Sequence, residues 1–300
     1  MPENRRFEIW DSHVHILPPG RTKGLVRWIK KAFPAHPSRE DMTPEDVLAD
    51  LRACGVEKVF NLVFPLKDPE TEALNLWSRD IAARYQEVVP FGSMHIDTAR
   101  KEEVAERCLL EYGLAGIKLH PYVQGFEAFS EPFEPLFRKL QGLRRPFIVH
   151  TGFDAFYRRS ADLGYLQGML ERYPEMPVVL VHAVFPKFKL VHRLMSAHGQ
   201  LYLDLTNVIS AVRYYSGASP GVLPPDAPVD LDELSANIDY FYRLLDDYSD
   251  RIMFGTDHPA GMGSPRQIYD DFDSFGFSTE ISSNLLGGTA RRFLKQHCGQ

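Results

Sequence analysis

The sequence predicts a (β/α)8 barrel, on three observations. Eight β-rich runs alternate with eight helix-like stretches along 300 residues. Several runs, such as PFIVH, VVLVH and RIMFG, are continuously apolar, the pattern of parallel strands buried on both faces. The runs also tend to end in histidine or aspartate. In a barrel this puts those side chains at the C-terminal ends of the strands, where active sites are built. An open doubly wound sheet is the rival architecture, but no GxGxxG follows an early strand.

The elements follow in order. A first strand is expected at 7–11, followed by a long connection, 16–42, rich in proline and basic residues and read as a loop without its own structure. Thr43 then offers an N-cap, Pro44 the first helical position, Glu45 and Asp46 first-turn acids and Gly55 a stop, so 43–55 reads as a helix. Strands at 58–63, 88–96, 116–120 and 146–150 alternate with helices at 68–85, 98–113 and about 131–143. The pattern continues with a helix at 161–173, a strand at 178–182, a helix at 187–198 and a strand at 201–205. A second long connection, 213–228, precedes a helix at 231–248, a strand at 251–257 and a helix at 265–272. Gly287-Gly288 lacks the lysine of a phosphate loop and reads as a turn. Long connections on this face of a barrel are often lids or binding loops. The alternation resumes on both sides of each, so a single domain over 1–300 is expected.

Composition narrows the function. A 44% hydrophobic and 25% charged chain is ordinary globular usage. A net charge of −6 and a pI near 6.0 argue against a nucleic-acid or anionic-membrane surface. Cys54, Cys108 and Cys298 are odd in number and far apart, which supports neither a disulfide framework nor a cysteine zinc site. Reduced thiols, no visible signal segment and no apolar run near the ~20 residues of a membrane helix give a cytoplasmic expectation. The expected partner is a small-molecule substrate, with no nucleic acid and no membrane; a homodimer is compatible.

The histidines carry the chemistry. His13 and His15, two apart in DSHVH, project from one face of a strand. His150 ends strand five, His182 ends strand six and Asp257 ends strand eight. One such histidine is ordinarily structural, but five ligands or proton carriers on one rim point to a metal site. Imidazole and carboxylate donors suit Zn²⁺, with Mn²⁺ or Fe²⁺ as alternatives.

In DSHVHILP, GIKLHP, VHTG, LVHAVFP and FGTDHP, in this order over nearly the whole chain, the sequence resembles the amidohydrolase superfamily. The likeness is to its amidohydrolase-related branch, which includes aminocarboxymuconate-semialdehyde decarboxylase. The resemblance implies a metal-dependent barrel in which His13, His15, His150 and Asp257 hold one divalent ion. It makes His182 catalytic, with Asp257 sharing in proton transfer. In binuclear relatives a lysine on strand four is carbamylated and bridges two metals. The branch resembled is usually mononuclear, so Lys118 is expected unmodified, and Lys118 and His120 are candidates for substrate contact.

Asp11 shares the strand face of His15 and is read as either an outer partner of the site or a buried brace. His95 is a candidate to line the pocket. His258 is expected in packing, and His36, His192, His198 and His297 on the surface. Arg21, Lys23, Arg27, Lys30, Lys31, Arg158, Arg159 and Arg213 are candidate carboxylate contacts, and Trp28, Phe153, Phe156, Phe185 and Tyr215 candidate pocket walls. The function expected first is hydrolysis of a lactone, ester or amide by metal-activated water. The alternative is non-oxidative decarboxylation of an unsaturated or aromatic acid.

Overall fold

The barrel is built from eight parallel strands: β1 (Ile9–Val14), β2 (Val56–Asn61), β3 in two pieces (Val88–Pro90 and Gly92–Ser93), β4 (Ile117–Leu119), β5 (Phe147–His150), β6 (Val178–Val181), β7 (Leu201–Asp204) and β8 (Ile252–Met253). The structure is a computed structural model, which describes residues 8–217 and 229–298. Each strand pairs in parallel with the next. Phe91 bridges the two pieces of β3: its N–H reaches Asn61 O at 3.2 Å while Gly92 N–H turns to Gly116 O at 2.9 Å. The ring closes between β8 and β1 through Ser12 N to Phe254 O at 3.1 Å, Asp257 N to His13 O at 2.8 Å and His15 N to His258 O at 2.8 Å.

The strands are short, and those such as β5 and β6 are fully buried because the helices cover their outer face; apolar β-branched residues suit both sides of such a ribbon. The Thr43 cap forms as the sequence suggests: its hydroxyl accepts Asp46 N–H at 3.2 Å while Asp46 accepts Thr43 N–H at 2.8 Å, a reciprocal capping box. That helix, Pro44–Arg52, buries Val47, Leu48 and Leu51 against the barrel. Phe133, Phe137 and Phe147 pack into the same layer with no exposed surface. Each buried ring contributes roughly 1.5–3 kcal/mol over leaving it in water. Cys54, Cys108 and Cys298 are free and buried. Among the described residues, no helix is long and apolar enough to cross a membrane.

Three local expectations are corrected. The connection after β1 is not structureless: α1 (Pro19–Ala32) occupies half of it. It has no side-chain cap and contains Gly20 and Gly24, so local propensity is poor; burial of Thr22, Val26 and Ile29 along one stripe makes it a helix. Gly287-Gly288 is not an open turn but a kink at the end of the helical segment Asn284–Gly288, where Gly287 leaves helical geometry with φ 165° and ψ −29° before the next helix begins. A Cβ on Gly287 would sit 2.6 Å from Glu8 O, so the missing side chain lets this helix approach β1. The last strand is shorter than 251–257, because residues 254–257 leave the sheet to reach β1. Of the connection 213–228, residues 213–215 end a helix, Val208–Tyr215, and 218–228 lie outside the described residues, as does Phe7.

Close approach also shapes the closure. A Cβ on Gly255 would meet His13 N at 2.6 Å, His13 Cβ at 2.7 Å and Thr206 Oγ1 at 2.7 Å. The chain after β8 thus passes directly against the β1 residue that enters the site.

Candidate active site

His13 lies on β1 and His15 immediately follows its end, and each has its Nδ1 committed to an oxygen. His13 Nδ1 lies 3.1 Å from Asp204 Oδ2, and His15 Nδ1 lies 2.6 Å from Leu62 O. A carbonyl only accepts, and Asp204 is a carboxylate, so each Nδ1 carries the proton and each Nε2 carries a lone pair. Both lone pairs face Asp257 Oδ1, at 3.5 Å from His13 and 2.9 Å from His15. The other Asp257 oxygen accepts Asn207 Nδ2–H at 2.8 Å. One donor atom from each of His13, His15 and Asp257 lies within 4.8 Å of the others.

Acceptors facing each other at such distances repel unless a cation stands between them, so this donor set fits a divalent ion. His150 adds to the fit. It is buried, and its Nε2 has no hydrogen-bond partner among the described residues. It lies outside the 4.8 Å group, one ring further round: its ring is 4.6 Å from that of His182, edge on. His182 is fixed by Nδ1, which donates to Thr206 O at 2.6 Å, so its Nε2 is also an acceptor.

Burial holds His13, His120, His150 and His182 below the ordinary histidine range. For His13 the charge of Lys118 adds to burial. For Asp257 burial pushes upward, while positive charge on His13 or His15 would pull the carboxyl well below the usual range, the place a bound cation takes when both imidazoles are neutral. Neutral imidazoles beside an ionised carboxylate are the protonation states that metal ligation requires. Lys118 is fully buried, its Nζ has no hydrogen-bond partner among the described residues, and burial lowers its pKa to about 8 against the pull of Asp257 and Asp204.

The rim of the candidate site is backbone-strained. His182, Asp257, Asn207 and Phe153 have φ of 61°, 60°, 63° and 55°, left-handed values that non-glycine residues adopt at a cost of about 1–3 kcal/mol each. A cavity of about 290 Å³ opens over them. Its floor includes His15, His120, His182 and Asp257; its walls are largely aromatic and apolar, with Phe64, Phe153, Phe156, Tyr157 and, from α1, Trp28 and Ile29.

Other candidates sort by position. Asp11 is a brace: it accepts from His13 N at 3.0 Å, Thr256 N at 3.0 Å and Thr256 Oγ1 at 2.7 Å, tying β1 to the chain after β8. His120 lies on the cavity floor, stacked on His150 at 3.9 Å between centroids. Tyr215 lines the cavity, and Phe185 stacks behind Phe153 at 4.7 Å. His95 is buried against Phe126, away from the cavity walls. His258 turns outward to Asp50 at 3.2 Å. His36 is not on the surface: its Nε2 reaches Gly261 O at 2.7 Å and closes the connection after α1 over the barrel. His192, His198 and His297 are partly buried.

The cations mostly face away from the cavity. Arg27 pairs with Glu40, Arg213 with Asp271, and Arg158 and Arg159 are exposed. Arg21 reaches the wall, but its terminal nitrogens go to Glu70 and to Phe64 O. Asp204, Asn207 and Tyr157 are site residues the sequence reading missed. Only the strand-end position of Asp204, in LYLD, could have flagged it.

Comparison with known proteins identifies the family and the fold. A family model described as amidohydrolase matches residues 10–296. No curated protein matches the chain. Among solved structures, an uncharacterized TIM-barrel protein from Bordetella bronchiseptica is 20% identical, with a TM-score of 0.69 over 97% of this chain and 100% of that one. A 2,6-dihydroxybenzoate decarboxylase from Rhizobium is 15% identical, with a TM-score of 0.69 over 97% and 99% of the two chains. A 5-carboxyvanillate decarboxylase from Novosphingobium aromaticivorans, complexed with manganese and 4-hydroxy-3-methoxy-5-nitrobenzoic acid, is 14% identical, with a TM-score of 0.64 over 97% and 96%.

Proposed function

The chain belongs to the amidohydrolase family, and from that premise we propose that it is a metal-dependent, non-oxidative decarboxylase of a hydroxylated aromatic carboxylic acid. The observation that carries this reading is the cavity, whose aromatic walls end on the histidine–aspartate floor. Flat aromatic walls suit a ring, and a small polar floor fixes which edge of the ring points down. Two of the matched structures are decarboxylases of aromatic acids, which supports the same choice. This reverses the order the sequence alone suggests, in which hydrolysis stands first.

His13, His15, His150 and Asp257 would hold one divalent ion, Zn²⁺ or Mn²⁺. When bound, the ion supplies positive charge that stabilises negative charge developing on substrate oxygen. His182 presents an unprotonated Nε2 to the cavity, so it first accepts the proton of the substrate hydroxyl and then returns it to the ring carbon that bears the carboxylate. The C–C bond breaks as that carbon is protonated, its electron pair stays with the ring, and carbon dioxide leaves with a phenolate as the other product. Asn207 holds one oxygen of Asp257, which leaves Oδ1 turned to His13 and His15. The walls orient the ring and exclude water.

A substrate panel tests the reading. Metal-loaded protein should release carbon dioxide and an equimolar phenol from hydroxybenzoates while leaving aryl esters, lactones and amides intact. Turnover of an ester, lactone or amide with no carbon dioxide from any acid would restore hydrolysis.

A further inference from the structure

Among the cavity's hydrogen-bond donors that the proposed mechanism leaves unused, two meet beside His150. Tyr157 follows β5 on a four-residue helix, Asp154–Tyr157, and lines the cavity. Its ring is fixed on several sides, 4.9 Å from His150, 5.8 Å from His120 and stacked 6.1 Å from Trp28 on α1. Among the described residues its hydroxyl has no hydrogen-bond partner, and burial together with the charge of Asp257 keeps the phenol protonated. The second donor is on His120. Its Nδ1 faces the N–H of Val123 at 3.5 Å, a long contact that still places an acceptor there, so the proton sits on Nε2. Both groups are neutral donors, and the two rings meet edge to face around His150.

We propose that Tyr157 O–H and His120 Nε2–H form a donor pair that receives the carboxylate of the substrate. The proposal rests on the decarboxylase reading for its substrate class but on separate residues. Among the described residues the cations near the cavity are engaged or out of reach: Arg21 is tied to Glu70 and Phe64 O, and Lys118 is fully buried and not part of the cavity wall. Neutral donors also suit the chemistry. A fixed cation would stabilise the ground-state carboxylate strongly and lose that interaction as the group becomes uncharged carbon dioxide, which raises the barrier. The pair adjoins His182 through His150, so a carboxylate held by the pair lies on the same side of the cavity as the proton-transfer group.

Calorimetric binding of benzoate and of phenol to the metal-loaded protein tests this without turnover. Tyr157→Phe should weaken benzoate about tenfold, as loss of a hydrogen bond to a charged group does, and change phenol less than twofold. His120→Leu should weaken benzoate similarly, and His120→Gln, which keeps a donor near the same place, should recover part of the loss. Tyr157→Phe keeps the ring and its packing, so an unchanged thermal midpoint separates binding from folding. Equal weakening of both ligands, no weakening of benzoate, or a wild type that binds phenol but not benzoate would overturn the donor pair. Failure here is distinguishable from failure of the decarboxylase reading. Benzoate binding that depends on Tyr157, with no carbon dioxide from any acid, keeps the pair and rejects the reaction. Carbon dioxide release with benzoate affinity unchanged in Tyr157→Phe does the reverse.

Discussion

Asp204 Oδ2 lies 3.1 Å from His13 Nδ1, joining the end of β7 to the end of β1 inside the barrel. The carboxylate fixes both the tautomer and the direction of the His13 ring. Its other oxygen is held by Thr206 N at 2.7 Å, so the pair is itself oriented. Asp204→Asn should lower affinity for the divalent ion by about 10–100-fold, the usual cost of losing such an outer partner, with the fold retained. Ion affinity by competition with a chelating dye checks this; unchanged affinity would remove Asp204 from the site.

His182 is assigned to proton transfer. His182→Asn should keep most of the bound ion and lose on the order of 10²-fold or more in kcat. Elemental analysis and turnover of one preparation measure both. Loss of the ion together with activity would make His182 a ligand instead.

Gly255 links closure of the fold to the site. Gly255→Ala puts a methyl group 2.6 Å from His13 N, with no flexible side chain to yield. The variant should lose about 1–3 kcal/mol of stability, the scale of an overpacked core, and bind the ion less tightly. Urea unfolding read beside ion content shows whether both fall.

His297, far along the C-terminal helix, provides a pH test away from the site. Burial lowers its pKa to about 4. Its folded value lies below its unfolded one, so between about 6.5 and about 4 the unfolded chain binds the proton that the folded chain refuses. Stability from this group is therefore full above about 6.5 and is lost as pH falls through that window, by about 1–3 kcal/mol. His297→Gln should flatten the fall in urea midpoint between pH 7 and pH 4.5; an unchanged slope would contradict it.

Much of this was legible because the relevant periodicities are local. Two-residue spacing suggests that His13 and His15 work together, as their shared approach to Asp257 shows, and continuous apolar runs announce buried parallel strands. The partners that tune the site come from elsewhere in the chain: Asp204 meets His13 across 191 residues, and Asn207 meets Asp257 across 50. No local pattern records such a contact. Helix α1 was hidden for a different reason: two glycines and a missing cap give it little intrinsic preference, and only packing over the cavity makes it helical. Tyr157 carries no motif and acquires meaning only beside His120 and His150.

The central claim, that one ion held by His13, His15, His150 and Asp257 drives decarboxylation, is tested most directly by reconstitution. Metal-stripped protein is titrated with Zn²⁺ or Mn²⁺ while carbon dioxide release from a hydroxybenzoate is followed. The account predicts no release without metal, a linear rise and a plateau at one equivalent per chain. Full release from stripped protein, or a plateau only at two equivalents, would contradict it.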